Sequence, residues 1–228
     1  KKNSVIPKDP RHIQLAALKE DTKRVIKSNM GASIIDIGDG CLCLEVHTKM
    51  NTVDADVISM LNEAVSEAED NFESLIIGND GPHFGAGANL LLIFMAAQQK
   101  EWGQIETMIS EFQKACQGLR YAKVPVVSAP FNLTLGGAAE IAMGADAIEA
   151  YAETYMGLVE VGVGLIPAGG GCLRTVERFS AGLQEIPGID SLKFIGTGAL
   201  NIAMAKTGTG AEDSRRLRYI LPTDGISL

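Results

Sequence analysis

A chain of 228 residues can bury one sizeable core or two small ones, and 46 % hydrophobic with 21 % charged residues is the balance of an ordinary globular domain, not of a disordered chain. The formal net charge of −8 argues against non-specific binding to nucleic acid or anionic membranes. An aromatic content of 5 % leaves few stacking platforms for single-stranded nucleic acid.

Residues 1–30 carry two prolines, many charges and a helical patch over 13–26, and are expected to be a linker or lead-in helix. Residues 31–48 read as a β-hairpin, two apolar strands around a Gly38-Asp39-Gly40 turn. Asn51 or Thr52 is placed to cap the next helix, with Asp54 in its first turn. That helix is predicted to run to about Glu67, with Val53, Val57, Met60, Leu61 and Val65 on one face. Ser74–Gly78 is a buried-type strand, and the glycine-rich FGAGANLL (84–91) follows it. A second amphipathic helix is predicted over 104–120, with Ile105, Met108, Ile109, Phe112, Cys116 and Leu119 on its apolar face. Residues 125–129 form a short strand, Gly136 and Gly137 open a helix through Met143, and 147–150 is again strand-like. Gly170 or Gly171 opens a helix to about Phe179. Beyond 180, helices are predicted over 203–205 and 212–219, on either side of TGTG (207–210), and Pro222 ends the pattern. Strands alternating with helices indicate an α/β fold, and no fixed-period repeat is present.

The four cysteines, Cys41, Cys43, Cys116 and Cys172, form no C-x-x-C pair, and Cys41 and Cys43 share one strand face as small buried hydrophobes would. This favours a reducing compartment, hence a cytoplasmic location. His12, His47 and His83 are isolated from one another, so no metal site is expected. The apolar run over 90–97 is too short to cross a bilayer, and no signal peptide is visible.

Two glycine-containing stretches each deliver one glutamate: LGGAAEIAMGAD (135–146) with Glu140, and MGLVEVGVGLIPAGGG (156–171) with Glu160. Gly136-Gly137 precedes a helix whose first amides have no intrahelical partner and carry partial positive charge, and glycine lets a ligand atom approach them closely. Glu140, three residues on, would stand beside that anion site. FGAGANLL could present a second amide donor. A carboxylate in so apolar a segment as that of Glu160 is more often partnered or functional than idle. Each stretch also has a plain reading: a tight helix start with Glu140 solvated, a simple turn, and a satisfied core glutamate.

In this order the three stretches resemble the enoyl-CoA hydratase/isomerase, or crotonase, family. AGAN (86–89), TLGGAAE (134–140) and GLVE…GLIPAGGG (157–171) stand where the family pattern has A-G-A-D, A-L-G-G-G-x-E and G-x-P-E…G-x-x-P-G-x-G-G. VPVVSAP (124–130) and KMN (49–51) resemble the K-P-V-I-A-A strand and the A-L-N before the first helix. The resemblance implies a crotonase-type spiral of repeated ββα units with a helical C-terminal region. It divides the chain into a lead-in (1–30), a catalytic core (31–180) and a partial helical C-terminal segment (181–228).

It also implies a chemistry: syn addition of water to a trans-2-enoyl-CoA thioester, as in fatty-acid β-oxidation. The amides of Ala88 and Gly137 would form the oxyanion hole, and Glu140 and Glu160 would hold and activate water. Lys49, Ala86, Asn89, Leu90 and Leu91 would contact the CoA ester. No cofactor is expected in this chain, since CoA belongs to the substrate, and the chain has no G-x-G-x-x-G opening a βαβ unit for NAD. Residues 202–228 resemble the tail of fused bacterial β-oxidation proteins in which a 3-hydroxyacyl-CoA dehydrogenase precedes a crotonase-like domain. The partners implied are an acyl-CoA thioester, a fused dehydrogenase and, compatibly, further copies of the chain. Departures are Asn89 for aspartate, Leu91 for lysine, Ala138-Ala139 for a Gly-Cys-like pair, Val159 for proline and Ala168 for glycine. Two alternatives stay open: an isomerase that shifts a double bond with one glutamate, and a silent acyl-CoA-binding domain.

Overall fold

The computed structural model describes residues 13–228, so residues 1–12 of the expected lead-in, with His12, lie outside it. Within 13–26 the expected helix shrinks to one turn, α1 (Leu15–Leu18), and the chain enters a strand, β1 (Val25–Ser28). The helical period loses because only Leu15 of α1 is buried, in a small cluster with Ile35 and Cys43. Residues 25–28 instead satisfy the open edge of β2 (Ala32–Gly38), with which they pair antiparallel. The predicted hairpin forms as β2 and β3 (Cys41–Val46), closed by a two-residue Asp39-Gly40 loop between paired Gly38 and Cys41.

From β3 onward the chain winds as a spiral, each turn laying one strand in a large sheet, one short extended piece in a small sheet, and a helix outside. The first turn is β3, an isolated parallel bridge at Val53, and α2 (Ala55–Asn71). The second is β4 (Ser74–Gly78), β5 (Gly85–Ala86), and the helices α3 (Leu90–Gln98) and α4 (Trp102–Arg120). The third is β6 (Val126–Ser128), β7 (Asn132–Leu135) and α5 (Gly137–Gly144). The fourth is β8 (Ala147–Tyr151), β9 (Thr154–Gly157) and α6 (Gly171–Ser180). The large sheet reads β1-β2-β3-β4-β6-β8 and ends on a further strand, β10 (Gly225–Ser227); the small one reads β5-β7-β9. After the β2–β3 hairpin every pairing between these strands is parallel, so each connection must be a crossover. This is the expected ββα spiral.

Asp54 itself caps α2, its Oδ1 accepting from Val57 N at 3.0 Å, in place of Asn51 or Thr52. Asn51 is committed elsewhere: it is buried, and its Nδ2 donates to His83 O at 2.9 Å. The buried face of α2 (Val57, Met60, Leu61, Ala64, Ala68) packs on β2, β3 and β4 and against α4. The core cluster runs from Ala32 through Phe112, Leu119 and Met143 to Tyr219 and Ile220, so the C-terminal segment shares it. All four cysteines are free, and burial pushes the Cys43 thiol up to about 12 and raises Cys116 as well, so both behave as core hydrophobes.

The C-terminal prediction needs correction. The helices there are α7 (Ser191–Ala203) and α8 (Ala211–Arg216), and residues 203–205 are only the end of α7 and the turn after it. Gly196 and Gly198 blur the apolar period of α7, but Gly198 lies against Thr175 and Phe179, where α6 and α7 meet. β10 was not signalled locally; it joins β8 because Asp224 accepts from Ile148 N (3.0 Å) and Leu221 N (2.6 Å). Among the described residues no helix is long and apolar enough to cross a membrane, and no group of three or more His, Cys, Asp or Glu could hold a metal ion.

Candidate active site

The second and third turns of the spiral leave the small sheet side by side and open a cavity of 610 Å³ walled by α2, α3, α4 and the 159–169 segment. Of the residues singled out by sequence, Ala86, Ala88, Asn89, Leu90, Gly137, Glu140 and Glu160 line it. Lys49 and Leu91 do not. Lys49 is exposed in a 3-10 turn ahead of Val53, and Leu91, 64 % exposed, is on α3 outside the lining.

Ala88 and Gly137 both line the cavity, and their amides are left without a backbone acceptor for different reasons. In the parallel bridge, Val53 N–H donates to Gly87 O (2.8 Å) and Asn89 N–H donates to Val53 O (3.1 Å). That pattern turns the N–H of Ala88 away from Val53. Gly137 opens α5, so its N–H has no intrahelical acceptor, whereas the neighbouring Gly136 N–H is used by Gly157 O at 2.9 Å. Gly136 has φ +54°, and a Cβ there would lie 3.2 Å from Glu160 Oε1 and 3.3 Å from Gly87 Cα. Glycine is thus required where the two loops and Glu160 converge.

Glu140 is not on a solvated face: it is 3 % exposed, inside α5. Its Oε1 accepts from Gly171 N at 2.7 Å, at the amino end of α6. Burial pushes its carboxyl up to about 7, the amides of Gly171, Gly169 and Gly170 pull it down, and the charge of Glu160 raises it. Glu160 opens a 3-10 turn, and both its carboxylate oxygens are buried without a hydrogen-bond partner. Burial raises this carboxyl too. The two glutamates, twenty residues apart in sequence, therefore act on each other electrostatically in one apolar space.

The enoyl-CoA hydratase/isomerase family profile matches residues 40–182, the stretch that builds this cavity. The chain belongs to that family. Over 98 % of its length it is 41 % identical to a probable 3-hydroxyacyl-CoA dehydrogenase of Bacillus subtilis (strain 168), of which it covers 28 %. Over 68 % it is 34 % identical to a protein described as a fatty acid oxidation complex trifunctional enzyme of Rickettsia prowazekii (strain Madrid E), of which it covers 21 %. The chain thus spans less than a third of these curated relatives. The crystal structure of an enoyl-CoA hydratase from Shewanella pealeana ATCC 700345 superposes with a TM-score of 0.70 over 95 % of this chain and 72 % of that one, at 19 % identity, which shows a common fold.

Membership in the enoyl-CoA hydratase/isomerase family does not by itself reveal the groups that hold the glutamates. The Phe112 ring, buried on α4, packs against Gly137 and under Gly169, where any side chain would overlap it. A Cβ on Gly169 would also lie 2.9 Å from Glu140 Oε2. Gln113 Nε2 donates to Ala168 O at 2.7 Å and ties the same loop to α4. Phe112 was legible as a core position of a helix; its place under the Gly169 loop was not, because the two are far apart in sequence.

Proposed function

We propose that this chain hydrates trans-2-enoyl-CoA thioesters. The observation that supports it most directly is the meeting, in a single apolar cavity, of two carboxylates, one of them unpartnered, with two residues, Ala88 and Gly137, whose amides the backbone does not use. The thioester carbonyl accepts from Ala88 N–H and Gly137 N–H, which stabilise the enolate oxygen as charge develops. Glu140, with its Oε1 held by the Gly171 amide, takes a proton from water in its ionised form. The water oxygen bonds to C3. In its protonated form Glu160, which lines the same space, delivers a proton to C2 on the same face. Ala86, Asn89 and Leu90 contact the ester from the β5–α3 loop. Atoms balance without redox change, and no resident cofactor is needed.

The product, a 3-hydroxyacyl-CoA, is the substrate class in the name of the Bacillus subtilis relative. A dehydrogenase joined to this chain, in a reducing cytoplasm, belongs to the same proposal. The test is loss of the conjugated enoyl-thioester absorbance of crotonyl-CoA, with product analysis, beside Glu140→Gln and Glu160→Gln. Turnover to 3-hydroxybutyryl-CoA that either substitution abolishes is the expected result. A shifted double bond without uptake of water would make it an isomerase, and binding without turnover a silent domain.

A further inference from the structure

The walls of the cavity beyond the two glutamates carry a second message. Ile58 from α2, Ile93 from α3, Ile105, Met108 and Ile109 from α4, and Ile166 from the 159–169 segment make it apolar. The other charged groups that line it are Asp54, Glu101 and Glu111, all acidic; no lysine, arginine or histidine is among the lining residues described. Asp54 already caps α2, and Glu101 and Glu111 stand exposed at the rim with Gln99 and Gln104. At 610 Å³, within the roughly 300–1,000 Å³ typical of ligand sites, the cavity has room for the thioester end of CoA and for more than a four-carbon acyl group beyond it.

Resting on the hydratase reading, we infer that the acyl group this site takes is an uncharged hydrocarbon chain longer than crotonyl, and that acyl groups ending in a carboxylate are excluded. A hydrocarbon tail gains about fourfold in affinity for each methylene it buries. A terminal carboxylate would lose water, find no cation to pair with, and face carboxylates of its own sign.

The test compares kcat/KM for crotonyl-, trans-2-hexenoyl-, trans-2-octenoyl- and glutaconyl-CoA, and calorimetric binding of butyryl-, octanoyl- and glutaryl-CoA, which cannot be hydrated. All share the CoA moiety, so differences report the acyl end. Expected are a rise of about 15-fold per two carbons up to octenoyl, and glutaconyl-CoA at least about 100-fold below hexenoyl-CoA. Met108→Trp, which fills part of the wall, moves the optimum to shorter chains, and Met108→Lys raises the affinity for glutaryl-CoA. Turnover of crotonyl-CoA equal to octenoyl-CoA, or of glutaconyl-CoA equal to hexenoyl-CoA, overturns the acyl inference and leaves the hydratase reading intact. No turnover, with octanoyl-CoA bound far more tightly than butyryl- and glutaryl-CoA, overturns the hydratase reading alone. Absence of any acyl-CoA binding overturns both.

Discussion

Glu140→Gln should stabilise the protein while disabling it. In the folded chain the Glu140 carboxyl is pushed from 4.5 up to about 7, chiefly by burial. A folded-state value above the unfolded one means that folding binds a proton between those limits, so stability present below about pH 4.5 is lost as pH rises through 7. At about 1.4 kcal/mol per pH unit, the ionised side chain costs the fold about 3 kcal/mol at pH 8. Glutamine keeps an oxygen to accept from Gly171 N–H and carries no charge to desolvate. It also relieves Glu160 of a like-charged neighbour. Urea unfolding at a series of pH values from 4.5 to 8.5 measures this directly. With a slope of roughly 3 kcal/mol/M, the variant's midpoint at pH 8 should lie about 1 M above that of the unsubstituted protein, and the two should converge near pH 4.5. A variant less stable at pH 8, or a difference that does not vary with pH, would falsify the claim that Glu140 is held against its own desolvation. Hydration lost in the same variant would complete the trade of stability for activity.

Gly136→Ala should lower turnover at least about tenfold, because its Cβ would meet Glu160 Oε1 and displace the carboxylate, and φ +54° should add about 1–3 kcal/mol of strain; steady-state kinetics and thermal melts read the two effects separately. Phe112→Ala should cost about 3–5 kcal/mol in urea unfolding, since the ring is buried between α4, α5 and the Gly169 loop, and kcat should fall with it as that loop slackens. A loss below 1 kcal/mol would show that the loop collapses onto the gap at no cost. Arg178→Met keeps the buried stem but removes the guanidinium that donates to Tyr219 O at 2.6 Å. Amides over 219–227 should then exchange markedly faster by hydrogen-exchange mass spectrometry, with β2 and β3 unchanged.

Local signals located most of the spiral. The hairpin of β2 and β3, the strand β4, and the helices α2, α4, α5 and α6 all announce themselves by period, turn or glycine start. The strands that stayed hidden share a cause. β7 (NLTL) and β9 (TYMG) are four residues each, and β5 only two, too short to show an alternation; they exist because parallel neighbours satisfy their backbone. β1 and β10 are recruited by an open sheet edge and by the Asp224 side chain, and neither cause lies within the strand itself.

The site divides along the same line. Sequence alone determined that Gly136-Gly137 would start a helix with free amides, that Glu140 would stand one turn in, and that Glu160 would lie in an apolar stretch, because each follows from neighbours within a few residues. Only the tertiary structure decided that Glu140 is buried on the Gly171 amide, that Glu160 has no donor, that Lys49 and Leu91 stand outside the cavity, and that every charged group among its described lining residues is acidic. Those are statements about solvation and about partners brought close by successive turns of the spiral, and burial depends on what the rest of the chain places on the other side.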